Sequence, residues 1–327
     1  MSTAWKQRPE GGSRLALRLL RAIACHGGRG LARALLWPIT LYFMAVRGPE
    51  RRASRAYLAR VLHRPVRWRD VARHIHTFAS VILDRVFLLS GRMGEFEVGV
   101  TGLDQLHAQM DKGRGVLIFG SHLGSFDALR VLAQERPDVQ VKVVLDKAQA
   151  PAMTEMLAAL NPRLADCIID ASQDSTSIVM AIKHATDEGH LVALLVDRAR
   201  PEDPCLPAQF LGAQAQFPTS PWLIGAVLKV PVVLAFGLYQ GRARYTLAFE
   251  TFSEGLEVPR RNRAATLGAL IRGYAARLEH HVCAAPYNWF NFYDFWNTKP
   301  DPDPAAVAPG ADADAAVQRR TAVRRVA

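Results

Sequence analysis

Gly115-Val-Leu-Ile-Phe-Gly-Ser-His-Leu-Gly-Ser-Phe-Asp127 packs three signals into one short run. Residues 115–119 are apolar, the pattern of a buried strand, and Gly120 with Ser121 marks its exit into a turn. Ser125 suits an N-cap, and Asp127 falls at the second position of a helix expected over 126–134, with Leu129, Leu132 and Ala133 on one side. Strand-to-helix turns in α/β sheets are where ligands usually meet the protein. An imidazole at 122 with a carboxylate at 127 therefore reads as a general base with an orienting partner. The plainer alternative is a structural histidine at a strand end and an aspartate serving the helix dipole. The turn context favours the functional reading.

Beyond this run, strands and helices alternate. Strands are expected at 116–120, 141–145, 167–170, 191–196, 232–238 and 245–251, with helices at 126–134, 151–160, 175–186 and 219–228 and a last one at 263–280. That order predicts an α/β fold with a mostly parallel or mixed central sheet flanked by helices. The preceding residues are helical and basic: 13–24 sets leucine against arginine at helical spacing, and helices over 52–62 and 68–89 are separated near Pro65. Residues 301–327 are rich in Pro, Ala, Asp and Arg without periodicity, and are expected to be disordered. The expected organisation is a helical, basic, membrane-associating region over 1–95, an α/β domain over 96–297 and a disordered tail over 298–327.

The chain has 327 residues and a formal net charge of +11, enough for a sizeable core and a pointer to an anionic partner. The excess is local, with nine arginines against Glu50 and Asp70 between Arg47 and Arg73. A solvated helix face is the plain reading of such a run. Beside it lies the uncharged stretch 34–46, with Trp37, Tyr42 and Phe43. As a helix it would extend about 20 Å, short of the roughly 30 Å hydrocarbon layer, and Pro38 interrupts it. It either packs as a core hairpin or lies at a membrane interface. Apolar surface beside arginines is the two-signal arrangement that holds a protein on anionic lipid, so the interfacial reading is preferred. Cys25, Cys167, Cys205 and Cys283 are scattered without paired spacing, as in a reducing, cytoplasmic setting. Met1 to Arg14 lacks the layout of a secretory signal.

Several chemistries find no motif. Gly120-Ser-His-Leu-Gly124 puts its serine one place early for a nucleophile elbow, which argues against an α/β-hydrolase. There is no Gly-x-Gly-x-x-Gly and no phosphate-loop lysine, so no nucleotide cofactor is expected. His74 with His76 and His280 with His281 diverge on their helices, so no metal site is expected. Asp197-Arg198, just after the apolar strand 191–196, is a second polar pair at a strand's C-terminal end. It reads as a structural ion pair or as part of the site.

The histidine and aspartate at 122 and 127 resemble the signature of the lysophospholipid acyltransferase superfamily, and particularly of the bacterial lipid A biosynthesis lauroyl/myristoyl acyltransferases. Leu194-Leu-Val-Asp197 looks like that family's strand ending in aspartate. Phe210-Leu-Gly212, Gln216-Phe-Pro-Thr-Ser-Pro221 and Val230-Pro-Val-Val233 resemble its Phe-Phe-Gly, proline-containing and late apolar segments. The aromatic run from Pro286 to Trp296 resembles its Trp-Phe ending, either a core plug or the wall of an acyl groove. Lipid A acyltransferases more often carry glutamate where Asp127 stands, and a longer apolar anchor. The chain thus looks like a divergent branch, of the kind found with glycolipid or aryl polyene pathways.

The resemblance implies a membrane-associated O-acyltransferase at the cytoplasmic face of the bacterial inner membrane, monotopic or peripheral. It would move a fatty acyl group from an acyl carrier protein or coenzyme A thioester to a hydroxyl of a lipid, glycolipid or polyene-type acceptor. No metal or resident cofactor is implied. His122 would take the hydroxyl proton, worth about 10²–10⁴-fold in rate, with Asp127 fixing its tautomer. The amides of Gly124 and Ser125, with Arg198 beside Asp197, would bind the oxyanion or substrate. The competing expectation is a catalytically inactive peripheral membrane scaffold of the same fold. A nucleic-acid binder has the charge but lacks a reading motif.

Overall fold

The computed structural model of the chain describes residues 28–131, 139–147, 155, 166–199 and 203–296. The helix expected at 13–24, the tail over 298–327, nearly all of the helix at 151–160 and the end of that at 126–134 lie outside the described residues.

The strands are β1 (Glu97–Thr101), β2 (Val116–Gly120), β3 (Val141–Leu145), β4 (Ile168–Asp170), β5 (Leu191–Leu195), β6 (Cys205–Phe210), β7 (Ala213–Pro218), β8 (Val232–Gly241) and β9 (Arg244–Ser253). Seven form one sheet in the order β1-β9-β8-β2-β5-β3-β4, and β6 and β7 pair separately as an antiparallel ribbon. Every pairing in the large sheet is parallel except the β8–β9 hairpin, so the sheet is mixed, as expected. All five residues of β2 are buried because alternate side chains enter different cores. Leu117 and Phe119 join Val192, Leu234 and Trp222 on one face. Val116 and Ile118 join Ala193, Val233 and Leu106 on the other. A strand without a polar face belongs inside a sheet covered on both sides.

The reading of the sequence did not foresee β1, β6 or β7. β1 is an edge strand whose residues are exposed or half-buried, so it lacks the apolar run that marked the inner strands. β6 carries Pro207, which donates no ladder hydrogen bond and reads as loop.

Among the described residues the helices include α1 (Leu36–Val46), α2 (Gly48–Leu62), α3 (Trp68–Leu89), α4 (Leu103–Met110), α5 (Ser175–Asp187), α6 (Ser220–Leu228) and α7 (Arg263–Ala284). Residues 28–34 are also helical and are separated from α1 by a turn at Leu35. Pro38 explains the break, since it has no N–H to return to the carbonyl of Ala34. The amino end of α3 is fixed by Asp70, whose carboxylate accepts the backbone N–H of Arg67 at 2.8 Å. Leu36 of α1 packs on Leu83, Val86 and Phe87 of α3. Tyr57, Leu58 and Val61 of α2 enter the same core as Leu117 and Phe119. No described helix is long and apolar enough to cross a membrane.

Candidate active site

Parallel strands leave their C-terminal ends on one edge of the sheet. Gly120 of β2 pairs with Leu195 of β5, so His122 and Asp197, each two residues further on, emerge side by side. His122 Nδ1 lies 2.7 Å from Asp197 Oδ1, and the His122 backbone N–H donates to Oδ2 at 3.1 Å. The indole N–H of Trp289 also donates to Oδ2, at 3.2 Å. Asp197 is fully buried, whereas the His122 side chain keeps 31% of its surface exposed. A carboxylate only accepts, so Nδ1 carries the proton and Nε2 presents its lone pair. Among the described residues, Nε2 has no hydrogen-bond partner.

Burial and the repulsion of Arg198 hold His122 below the usual histidine value, against the pull of Asp197. For Asp197, burial pushes the carboxyl up, but the facing imidazole, its hydrogen bonds and Arg198 bring it out below the usual carboxylate range. The pair therefore stands at neutral pH as a neutral imidazole on an ionised carboxylate. That is the resting state of a general base with an orienting partner.

The expected bond from His122 to Asp127 is not made. Asp127 lies in a 3-10 turn, Phe126–Val131, and its carboxylate pairs with Nε of Arg85 from α3. Closeness in sequence suggested Asp127, but strand register supplies a partner 75 residues away. Arg85 is near enough to His122 to add to the depression of its pKa. Asp127 thus acts on the site's electrostatics through the guanidinium it holds.

Two further expectations are corrected. The Gly124 N–H donates to Asn288 O at 2.8 Å and the Ser125 N–H to Gly237 O at 2.7 Å, so neither amide is free for an oxyanion. The Ser125 hydroxyl is buried without a partner and caps nothing. The Gly124 amide fastens the loop to the aromatic run and the Ser125 amide fastens it to β8 instead. Gly124 has φ +68°, and a Cβ on it would fall 1.9 Å from the Gly237 carbonyl oxygen. Arg198 does face the site. Its Nη2 donates to Phe290 O, its Nε is buried without a partner, and its guanidinium lies 5.5 Å from the Tyr293 ring centre.

Arg85, Asn288, Trp289 and Phe290 were missed as site residues. Arg85 has no sequence signal, being one arginine among many. The other three lie in the aromatic run, for which a core plug and a groove wall were weighed. Trp289 is fully buried, 5.0 Å from Tyr57 and 5.1 Å from Phe210 between ring centres, and so fills the core while its N–H holds Asp197. The Phe290 N–H donates to His122 O at 2.8 Å, and Asn288 Oδ1 accepts the Tyr239 N–H at 2.7 Å. The run is a clamp across the His122 loop. No cluster of three or more His, Cys, Asp or Glu side chains able to hold a metal ion occurs among the described residues.

No curated protein matches the chain in sequence. The family model for bacterial lipid A biosynthesis acyltransferases matches residues 67–298, which include α3, the whole of both sheets, the His122 loop, Asp197 and the aromatic clamp. On that match, spanning most of its length, the chain belongs to the bacterial lipid A biosynthesis acyltransferase family, membrane-associated enzymes that transfer acyl groups to lipid.

Proposed function

We propose that the protein moves a fatty acyl group from a thioester, carried by acyl carrier protein or coenzyme A, to a hydroxyl of a lipid, glycolipid or polyene-type acceptor. His122 Nε2 takes the hydroxyl proton as the oxygen attacks the thioester carbonyl. Asp197 stabilises the imidazolium that forms. The guanidinium of Arg198, whose charge already acts on His122, offsets the negative charge on the tetrahedral oxygen. When the intermediate collapses, the thiolate leaves and takes the proton from His122. No metal or resident cofactor enters the scheme. The protein works from the cytoplasmic face of the bacterial inner membrane, attached through its N-terminal helices. The reading is carried above all by the open Nε2 of a half-buried imidazole whose Nδ1 is held by the buried Asp197 at 2.7 Å.

The test is transfer of labelled acyl groups from each carrier to a membrane lipid extract by the purified full-length protein. His122→Ala should remove nearly all transfer, and Asp197→Asn should lower kcat by about 10²–10⁴-fold with the fold retained. Asp127→Asn, acting only through Arg85, should cost roughly tenfold. Should Asp127→Asn match His122→Ala while Asp197→Asn stays near wild type, the partner has been misassigned. A wild-type protein that moves no label from either carrier would be the inactive scaffold.

A further inference from the structure

Away from the catalytic edge, α1 shows a largely exposed face, on which His76 of α3 stacks against one side of Trp37 at 4.5 Å between ring centres. Trp37, Leu41, Tyr42 and Val46 are 60, 62, 56 and 59% exposed. With Pro38 and Ala45 they follow one another at helical spacing, and no charge lies among them. A helix apolar on its exposed face as well as its buried one has the composition of a segment that meets hydrocarbon. At about 16 Å it is too short to cross a bilayer and suits one lying along the interface.

Where the chain leaves α1 and turns into α2, a groove of about 370 Å³ opens, lined by Met44, Trp68, Val71 and three arginines, Arg51, Arg52 and Arg55. The guanidinium groups of Arg51 and Arg52 approach one another beside Gly48 at its edge. A Cβ placed on Gly48 would lie 3.4 Å from Nη1 of Arg52 and 3.8 Å from Nη2 of Arg51. Arg51 is anchored by donating to Met44 O. Arg52 and Arg55 have no hydrogen-bond or ion-pair partner among the described residues. Glu50, the acid in the first turn of α2, is turned to Arg47 at 3.6 Å. Among the described residues, the groove is thus left with positive charge that no acid lining it offsets, beside a largely exposed apolar face.

We infer that this groove binds the phosphate headgroup of an anionic membrane lipid while the exposed face of α1 lies among acyl chains. The inference rests on the proposed membrane attachment and gives it a discrete site. A phosphodiester carried on two acyl chains answers both halves of the surface at once, charge at the arginines and hydrocarbon at Trp37, Leu41, Tyr42 and Val46. An acidic carrier protein answers only the first.

Binding of the full chain to vesicles of phosphatidylcholine, alone or mixed with phosphatidylglycerol, tests this, together with titration by soluble dihexanoyl phosphatidylglycerol read through tryptophan fluorescence. Arg52→Gln with Arg55→Gln should weaken binding to the mixed vesicles roughly 30-fold. Arg260→Gln with Arg261→Gln, an equal loss of charge at another exposed turn, should weaken it less than about threefold. The soluble lipid should saturate one site per chain, and inorganic phosphate should not displace it. Equal losses in the two pairs, no preference for phosphatidylglycerol, or displacement by inorganic phosphate would each overturn the site. So would a loss of affinity for acyl carrier protein, in the Arg52 and Arg55 variant, with vesicle binding unchanged. Acyl transfer by the wild-type protein in detergent is measured separately. Transfer without vesicle binding removes this site alone, and vesicle binding without transfer removes the proposed chemistry alone.

Discussion

Asp197 has no exposed surface, yet its carboxylate accepts from the His122 ring, the His122 backbone and the Trp289 indole. Three donors on one buried carboxylate let it stay ionised where burial alone would favour the neutral acid. His122 is depressed for the complementary reason: burial, then Arg198, disfavours a second positive charge. A base is lost when it gains a proton, so kcat/KM should fall as pH drops through the His122 value. Because that value is held below 6.5, the acid limb should lie below pH 6.5. Arg198→Gln removes one of the depressing charges and should move the limb upward. A pH profile of the two proteins checks this; a limb that stays fixed or moves downward would mean that another group titrates.

The loop from Ser121 to Ser125 is held to β8 by two backbone contacts that tolerate no side chain. A Cβ on Gly237 would sit 2.1 Å from the Ser125 carbonyl oxygen, and one on Gly124 would sit 1.9 Å from that of Gly237. Gly237→Ala should therefore destabilise the protein by about 2–3 kcal/mol in denaturant unfolding, and should lower transfer by displacing the His122 loop. A change below about 0.5 kcal/mol would show that the contact yields. These contacts also mark what the sequence discloses. The strands 116–120, 191–196 and 232–238 were legible because inner strands of a covered sheet must be apolar on both faces, and 141–145 because its valines are β-branched strand formers despite Lys142 and half-burial throughout. So were His122 and Asp197 individually, each a polar residue at the end of such a run. Their pairing was not legible, because it depends on β2 lying next to β5, which no local spacing encodes. The clamp by Asn288 and Trp289 was hidden likewise, since an aromatic run reads as core whether or not its polar atoms reach a site.

At the scale of the molecule, the N-terminal helices and the candidate site are joined by one chain of hydrogen bonds. The Ser54 hydroxyl of α2 meets His74 Nδ1 of α3 at 2.8 Å, and His74 Nε2 meets Trp289 O at 2.9 Å. The Tyr57 hydroxyl donates to Pro286 O at 2.7 Å, and that of Tyr287 to Asp70 at 2.9 Å. Helices α2 and α3 thereby hold the aromatic run, and the run holds Asp197. His74 is the weak point of this chain under acid. Its carbonyl partner must accept, so Nε2 donates and Nδ1 receives the Ser54 proton. A second ring proton would then confront a hydroxyl already in place. Burial lowers its pKa to about 4, only partly opposed by the bond to Trp289. Above pH 6.5 the ring is neutral in the folded and unfolded chains alike and has no pH-dependent effect. Between pH 6.5 and 4 the unfolded chain takes up the proton that the folded one refuses, and stability should fall by about 3 kcal/mol across that interval. Below pH 4 the loss is complete. His74→Gln, which can still donate to Trp289 O, should lower stability at neutral pH but flatten the decline of Tm between pH 6.5 and 4. Parallel declines in wild type and variant would place the acid sensitivity elsewhere and leave His74 as packing alone.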